Sequence, residues 1–113
     1  MAVGTKIYLF GGINSDGRID TINVFDTEAQ VLMTLETKLL QPASGINAAA
    51  VGTKIYLLGG GTSGVSQLDT ISVFDTETEE LLALDINLPL PIHYGQAIAI
   101  GTQIYLLGGH SSD

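Results

Sequence analysis

At 113 residues the chain has room for one domain with a modest core. Apolar residues make up 45% of it and charged residues 14%, with a mean hydropathy of +0.35, so disorder is excluded on composition. Twelve acids against four bases give a net charge of −8, which repels phosphate backbones and anionic surfaces; neither nucleic acid nor membrane is expected as a partner.

There is no cysteine, so disulfides, thiol nucleophiles and thiolate metal sites are all ruled out. The opening MAVGTKIYLFGG lacks the charged n-region and uninterrupted apolar stretch of a signal peptide. No apolar run is long enough for a membrane-spanning helix, and no N-x-S/T sequon occurs.

In chain order, AVGTKIYLFGG at 2–12 returns as AVGTKIYLLGG at 50–60 and as AIGTQIYLLGG at 99–109. Between them DTINVFDTE at 20–28 returns as DTISVFDTE at 69–77. Gly4 to Gly52 is 48 residues, and Gly52 to Gly101 and Phe25 to Phe74 are 49 each. A fixed period of that size is one supersecondary unit, reused because it cannot bury its apolar face alone.

Within each unit the apolar residues come in short runs rich in Ile, Val, Leu and Tyr, bounded by Gly, Asn, Asp, Pro and Ser. That pattern predicts strands. The first strand is the small, apolar Asn47–Val51, matched by Gln96–Ile100 and by the stub Ala2–Val3. After a Gly-Thr turn comes Lys54–Leu58, apolar on both faces and so expected to be buried on both. A Gly/Ser-rich loop leads to Thr70–Asp75, which alternates with a period of two. Asp75-Thr76-Glu77 predicts a turn capped by the Asp side chain. The fourth strand is expected at 80–84. ETEELLAL would also fit a helical turn, but the matching AQVLMTL carries Val31 and Thr34, which favour extension. Pro42, Pro89 and Pro91 then mark connectors, since they deny backbone donors.

Four strands per unit, with a double glycine closing the second, resemble the kelch repeat of β-propellers. Gly11-Gly12, Gly59-Gly60 and Gly108-Gly109 match the family's diglycine, and Phe25 and Phe74 its aromatic in the third strand. Six residues on, Leu32 and Leu81 stand where the family has tryptophan. The resemblance implies an all-β, kelch-type propeller segment of four-stranded antiparallel blades in an incomplete, open ring. The blades are expected at about 1–41 and 46–90, with a half-blade at about 95–109. A sandwich or β-helix of the same period is the alternative fold.

Propellers close with about four to eight blades, so the chain is expected either to belong to a longer propeller or to self-associate. Assembly of three copies into six blades fits poorly, because 96–109 duplicates strands already present at 2–12.

In an up-and-down meander, loops 2–3 and 4–1 emerge at one end and turns 1–2 and 3–4 at the other. The second end carries repeated Gly-Thr and Asp-Thr-Glu turns. Their acids are expected to serve the turns, since the spacing lacks the alternating ligands of a calcium loop. The first end carries what varies: 13–18, 61–67, 41–45 and 89–95. Variable loops on a repeated scaffold are the natural place for recognition, and kelch propellers resembling this one bind partners there. Asn14, Asp16, Arg18, Gln67, His93 and Tyr94 are the candidate binding residues.

No Ser-His-Asp set, HExxH, Lys-Ser/Thr phosphate loop or sialidase Asp-box occurs. The copper-oxidase relatives within the resemblance need a Cys-Tyr cross-link, which this chain cannot form. The expected function is a non-catalytic module that binds a protein or glycan, with no cofactor and no metal. The alternative is a piece of a sugar-active enzyme of the sialate-epimerase type, its catalytic groups lying in other blades.

Overall fold

Each copy of the repeat folds into an antiparallel meander. The structure is a computed structural model, and it describes residues 1–15, 17–62, 68–92 and 94–109. The first sheet runs β1 (Ala2–Val3), β2 (Lys6–Asn14), β3 (Gly17–Asp26) and β4 (Val31–Lys38), in that order. After it, β5 (Ala43–Ser44) lies in the connector, followed by β6 (Asn47–Val51) and β7 (Lys54–Leu58). The chain then leaves the second sheet for β8 (Gly61–Thr62), which pairs with β5, and returns as β9 (Thr70–Asp75) and β10 (Glu80–Asn87). The second sheet is thus β6-β7-β9-β10, and β11 (Gln96–Ile100) with β12 (Gln103–Leu107) makes a third of two strands. No helix occurs among the described residues.

Most of the expected strands are found with their expected bounds. The fourth is extended, as Val31 and Thr34 require, but runs on to Asn87 rather than ending at 84; an irregular register between Ala83 and Asn87 carries it past the polar tail. Most of the expected loop at 13–18 is paired strand instead. After a register shift between Phe10 and Gly12, β2 resumes its ladder, pairing Ile13 with Arg18 and Asn14 with Gly17.

Residues opposite one another in an antiparallel pair share a face, and this sorts the core. Tyr8 opposite Val24, and Phe10 opposite Ile22, put the large residues of sheet 1 on one face. Sheet 2 meets that face with Ile55, Phe74 and Leu81, which are in mutual register, and with Leu57. The Phe74 ring lies 5.6 Å from both Tyr8 and Phe10, tilted to one and edge-on to the other, the geometry that aromatic quadrupoles favour. The other face of sheet 2, where Ala49 is buried, turns toward sheet 3, and β6 lies against β11 there. Small residues in the first strand of each unit permit this close approach. The sheets therefore form an open row, joined face to face rather than edge to edge.

The diglycines have a specific job. A Cβ on Gly11 would run into the carbonyl oxygen of Ala43, and one on Gly59 into that of Ile92. Both are connector carbonyls on the way into the next sheet, and the Gly60 N–H donates to Ile92 O at 2.8 Å. Gly59 and Gly60 also take φ of +70° and +117°, which side chains oppose. The double glycine is where one sheet receives the backbone that starts its neighbour.

At the opposite ends of the strands, Asp26 Oδ1 accepts the N–H groups of Glu28 and Ala29 at 2.9 and 3.1 Å. Asp75 does the same with Glu77 and Thr78, so these acids serve the turns as expected. Donation from the Ala29 and then the Glu28 backbone, helped by Lys6, holds the Asp26 carboxyl below its ordinary value. A depressed folded value contributes stability above the unfolded-state value, and that contribution is lost as pH falls through the folded one. Asp26→Asn should therefore be less stable than the parent near neutrality, with the gap closing in acid. Urea unfolding of both proteins across acid pH measures this; a gap independent of pH would contradict it.

Candidate recognition surface

The end of the sheets carrying the 2–3 and 4–1 segments is built around the connector 43–45. On one side stands the β2–β3 hairpin. Arg18, half-buried on β3, donates from Nε to Ser44 Oγ at 2.8 Å, and its guanidinium lies against Gly61. Ser44 is buried, so its hydroxyl needs this partner. Arg18 thus ties the hairpin of sheet 1 to the β5–β8 pair that leads into sheet 2. It is part of the framework as well as of the surface. Asn14 is exposed on the same hairpin.

On the other side stands Tyr94. Its N–H donates to Gly45 O at 2.9 Å, and its ring packs against the Gly45 backbone, where no Cβ would fit. Gly45 and Tyr94 occupy the same position in successive repeats, 49 residues apart, and share the same left-handed backbone, φ +62° and +59°. Glycine adopts that conformation freely, whereas tyrosine does so at a cost of about 1–2 kcal/mol. The cost is met by Asn47, which is buried within β6. Its Oδ1 accepts Gly95 N–H at 2.6 Å, and its Nδ2 donates to Leu58 O and Ile92 O at 2.8 and 3.3 Å. These bonds clamp the backbone on both sides of Tyr94, leaving the side chain 60% exposed.

Of the six candidate residues, the structure brings Arg18 and Tyr94 to the two flanks of one connector, with Asn14 on the neighbouring hairpin. Asp16, Gln67 and His93 lie outside the described residues. Three apolar residues of this end were not among the candidates: Ile13 on the hairpin, and Leu40 and Leu90 on the two connectors, all exposed. For Leu40 and Leu90, an apolar side chain near a connector proline was the available signal. Asn47 also escaped notice, hidden in a strand that otherwise reads as alanines and valine; an amide recurring there as Gln96 was its signal.

The opposite end offers a different hollow, a cleft of 260 Å³ between sheets 1 and 2, lined by Lys6, Tyr8, Val24, Asp26, Met33 and Glu79 among others. Burial, and after it the Glu79 carboxylate, pushes the Tyr8 phenol up, so it stays protonated. Among the described residues no group of three or more His, Asp or Glu side chains is placed to hold a metal ion. No helix of the described residues is long and apolar enough to cross a membrane.

Comparison with known proteins agrees with this architecture. Residues 1–35 match one Kelch motif model and residues 42–80 match another. No curated protein matches the chain significantly. The two matched stretches contain the first diglycine with Phe25 and Leu32, and the second with Phe74. Kelch repeats generally mediate protein interactions, which suggests a protein-interaction propeller module. With four-stranded meanders packed face to face, diglycines receiving the next connector and motif matches over both four-stranded sheets, this chain belongs to the kelch-repeat family, as a segment of a β-propeller.

Proposed function

We propose that this chain is a non-catalytic binding module that recognises a protein through the end bearing Arg18 and Tyr94. The observation that carries it is Tyr94 itself. A large aromatic is held in a backbone conformation that its counterpart Gly45 adopts without strain, and is presented to solvent rather than to the core. Strain of this kind is retained where the surrounding structure enforces it, and it concentrates at binding sites. Exposed Ile13, Leu40 and Leu90 add apolar area at the same end, and Arg18 adds a cation. Aromatic and Arg anchors with apolar surroundings are the composition that protein partners bind.

Tyr94→Gly is the discriminating variant, because it copies the equivalent Gly45 and removes the ring while relaxing the backbone. Proteins retained by the immobilised chain should be compared with those retained by Tyr94→Gly and by Glu77→Gln at the opposite end. A partner held by the parent and by Glu77→Gln should bind Tyr94→Gly at least tenfold more weakly, since truncating an aromatic anchor costs about 2 kcal/mol or more. Equal binding by all three would overturn the assignment. A glycan array probed with the same three proteins tests the sugar reading in the same way.

A further inference from the structure

We propose that copies of this chain join head to tail, the outer face of sheet 3 in one copy packing on the outer face of sheet 1 in the next. The repeat itself shows what belongs on each face. Ile7, Leu9 and Phe25 on sheet 1 are the repeat equivalents of Ile55, Leu57 and Phe74 on sheet 2, with the same residue types at every position. Ile55 and Leu57 are 0% and 4% exposed, because the Tyr8 face of sheet 1 covers them. Their counterparts Ile7 and Leu9 are 37% and 49% exposed. This is a socket already seen filled elsewhere in the same molecule.

The matching plug is on sheet 3. Tyr105 opposite Ile98 is the repeat equivalent of Tyr8, which is 4% exposed where it meets Phe74. Tyr105 is 47% exposed, and Ile98 and Leu107 beside it are also bare. The plug and the socket lie on different faces, so the contact is heterologous rather than self-complementary. Each union leaves one face of each kind free, and association propagates as heterologous contacts do. The contact continues the pattern of the joint between sheets 1 and 2, with Tyr105 in the place of Tyr8 and Ile7 and Leu9 in the places of Ile55 and Leu57, which is why a second copy fits it. At a net charge of −8 the copies repel, so raising salt should tighten the union.

Sedimentation velocity on the 113-residue chain tests this. The parent protein should gain mass with concentration, and more so in added salt. Leu9→Asp spoils the socket and Tyr105→Asp the plug; each should run as a monomer alone, and their equimolar mixture should give a dimer and nothing larger. A parent that stays monomeric at all concentrations would overturn the proposal and leave these faces to other sheets. So would either variant associating by itself, or a mixture that remains monomeric.

A second measurement does not depend on charged variants folding. The chain has no cysteine, so Leu9→Cys and Tyr105→Cys each carry a single thiol. A short bis-maleimide should join the two variants to each other. Cross-linking of either variant only to itself would count against the head-to-tail arrangement.

Discussion

Phe74→Ala is expected to cost about 3–5 kcal/mol of unfolding free energy, the range for removing a fully buried aromatic. Phe74 has no solvent exposure, and its ring bridges the sheets by meeting Tyr8 and Phe10 at once. Deleting it empties the centre of the joint between sheets 1 and 2, and it also loses two aromatic contacts of about 0.5–1.5 kcal/mol each beyond their area. Against a typical total of about 5–15 kcal/mol, that is enough to separate the sheets under mild denaturant. Phe25→Ala provides the internal control: it deletes the same residue type at the same repeat position, where the ring is only half-buried. It should cost clearly less. Urea unfolding at one fixed protein concentration, chosen because association shifts apparent stability, measures both. Equal losses would mean that the joint between the sheets contributes little to holding the fold.

The fold was legible because the repeat writes each strand more than once. Asn47–Val51, Lys54–Leu58 and Thr70–Asp75 have their expected bounds because a Gly-Thr or Asp-Thr-Glu turn fences one end of each short apolar run. The 13–18 hairpin was not legible. A double glycine reads as the end of a strand, yet the ladder resumes beyond the shift at Gly11, where Ile13 and Asn14 find partners. The pairing of Ala43–Ser44 with Gly61–Thr62 was hidden for a different reason. Neither dipeptide has strand character, and the pair exists only because the connector must cross the loop of the sheet it is about to enter. Variation marked the loop end as the candidate surface, but sequence alone could not apportion the roles. Arg18 reads as a free cation in a loop, whereas its hydrogen bond to buried Ser44 makes it a strut. The left-handed backbone of Tyr94 is visible only by comparison with Gly45, once both are known to occupy one position of the fold.

Asn47→Ala should cost about 3 kcal/mol, although it removes only a short polar side chain. Its amide satisfies three backbone groups at once: the N–H of Gly95 and the carbonyls of Leu58 and Ile92. A buried group stripped of its partner costs about 1–3 kcal/mol. Ile92 O keeps the Gly60 N–H, so the loss falls mainly on Gly95 and Leu58. Asn47→Asp separates the donor and acceptor halves of this clamp. A carboxylate can still accept from Gly95, but it faces two carbonyl oxygens where the amide donated. The aspartate variant should therefore be at least as unstable as the alanine variant near neutral pH. Protonation restores a donor, so the carboxyl titrates above its ordinary range when folded, and the deficit should shrink as pH falls through that raised value. Urea unfolding of the three proteins between neutral and mildly acid pH checks the sign, and a deficit that grows in acid would disprove the clamp. Hydrogen exchange at Gly95 gives the local readout: its amide should lose protection in Asn47→Ala and keep more of it in Asn47→Asp. Because the same clamp holds Tyr94 in its strained conformation, partner binding should weaken in Asn47→Ala even under conditions where the sheets remain folded.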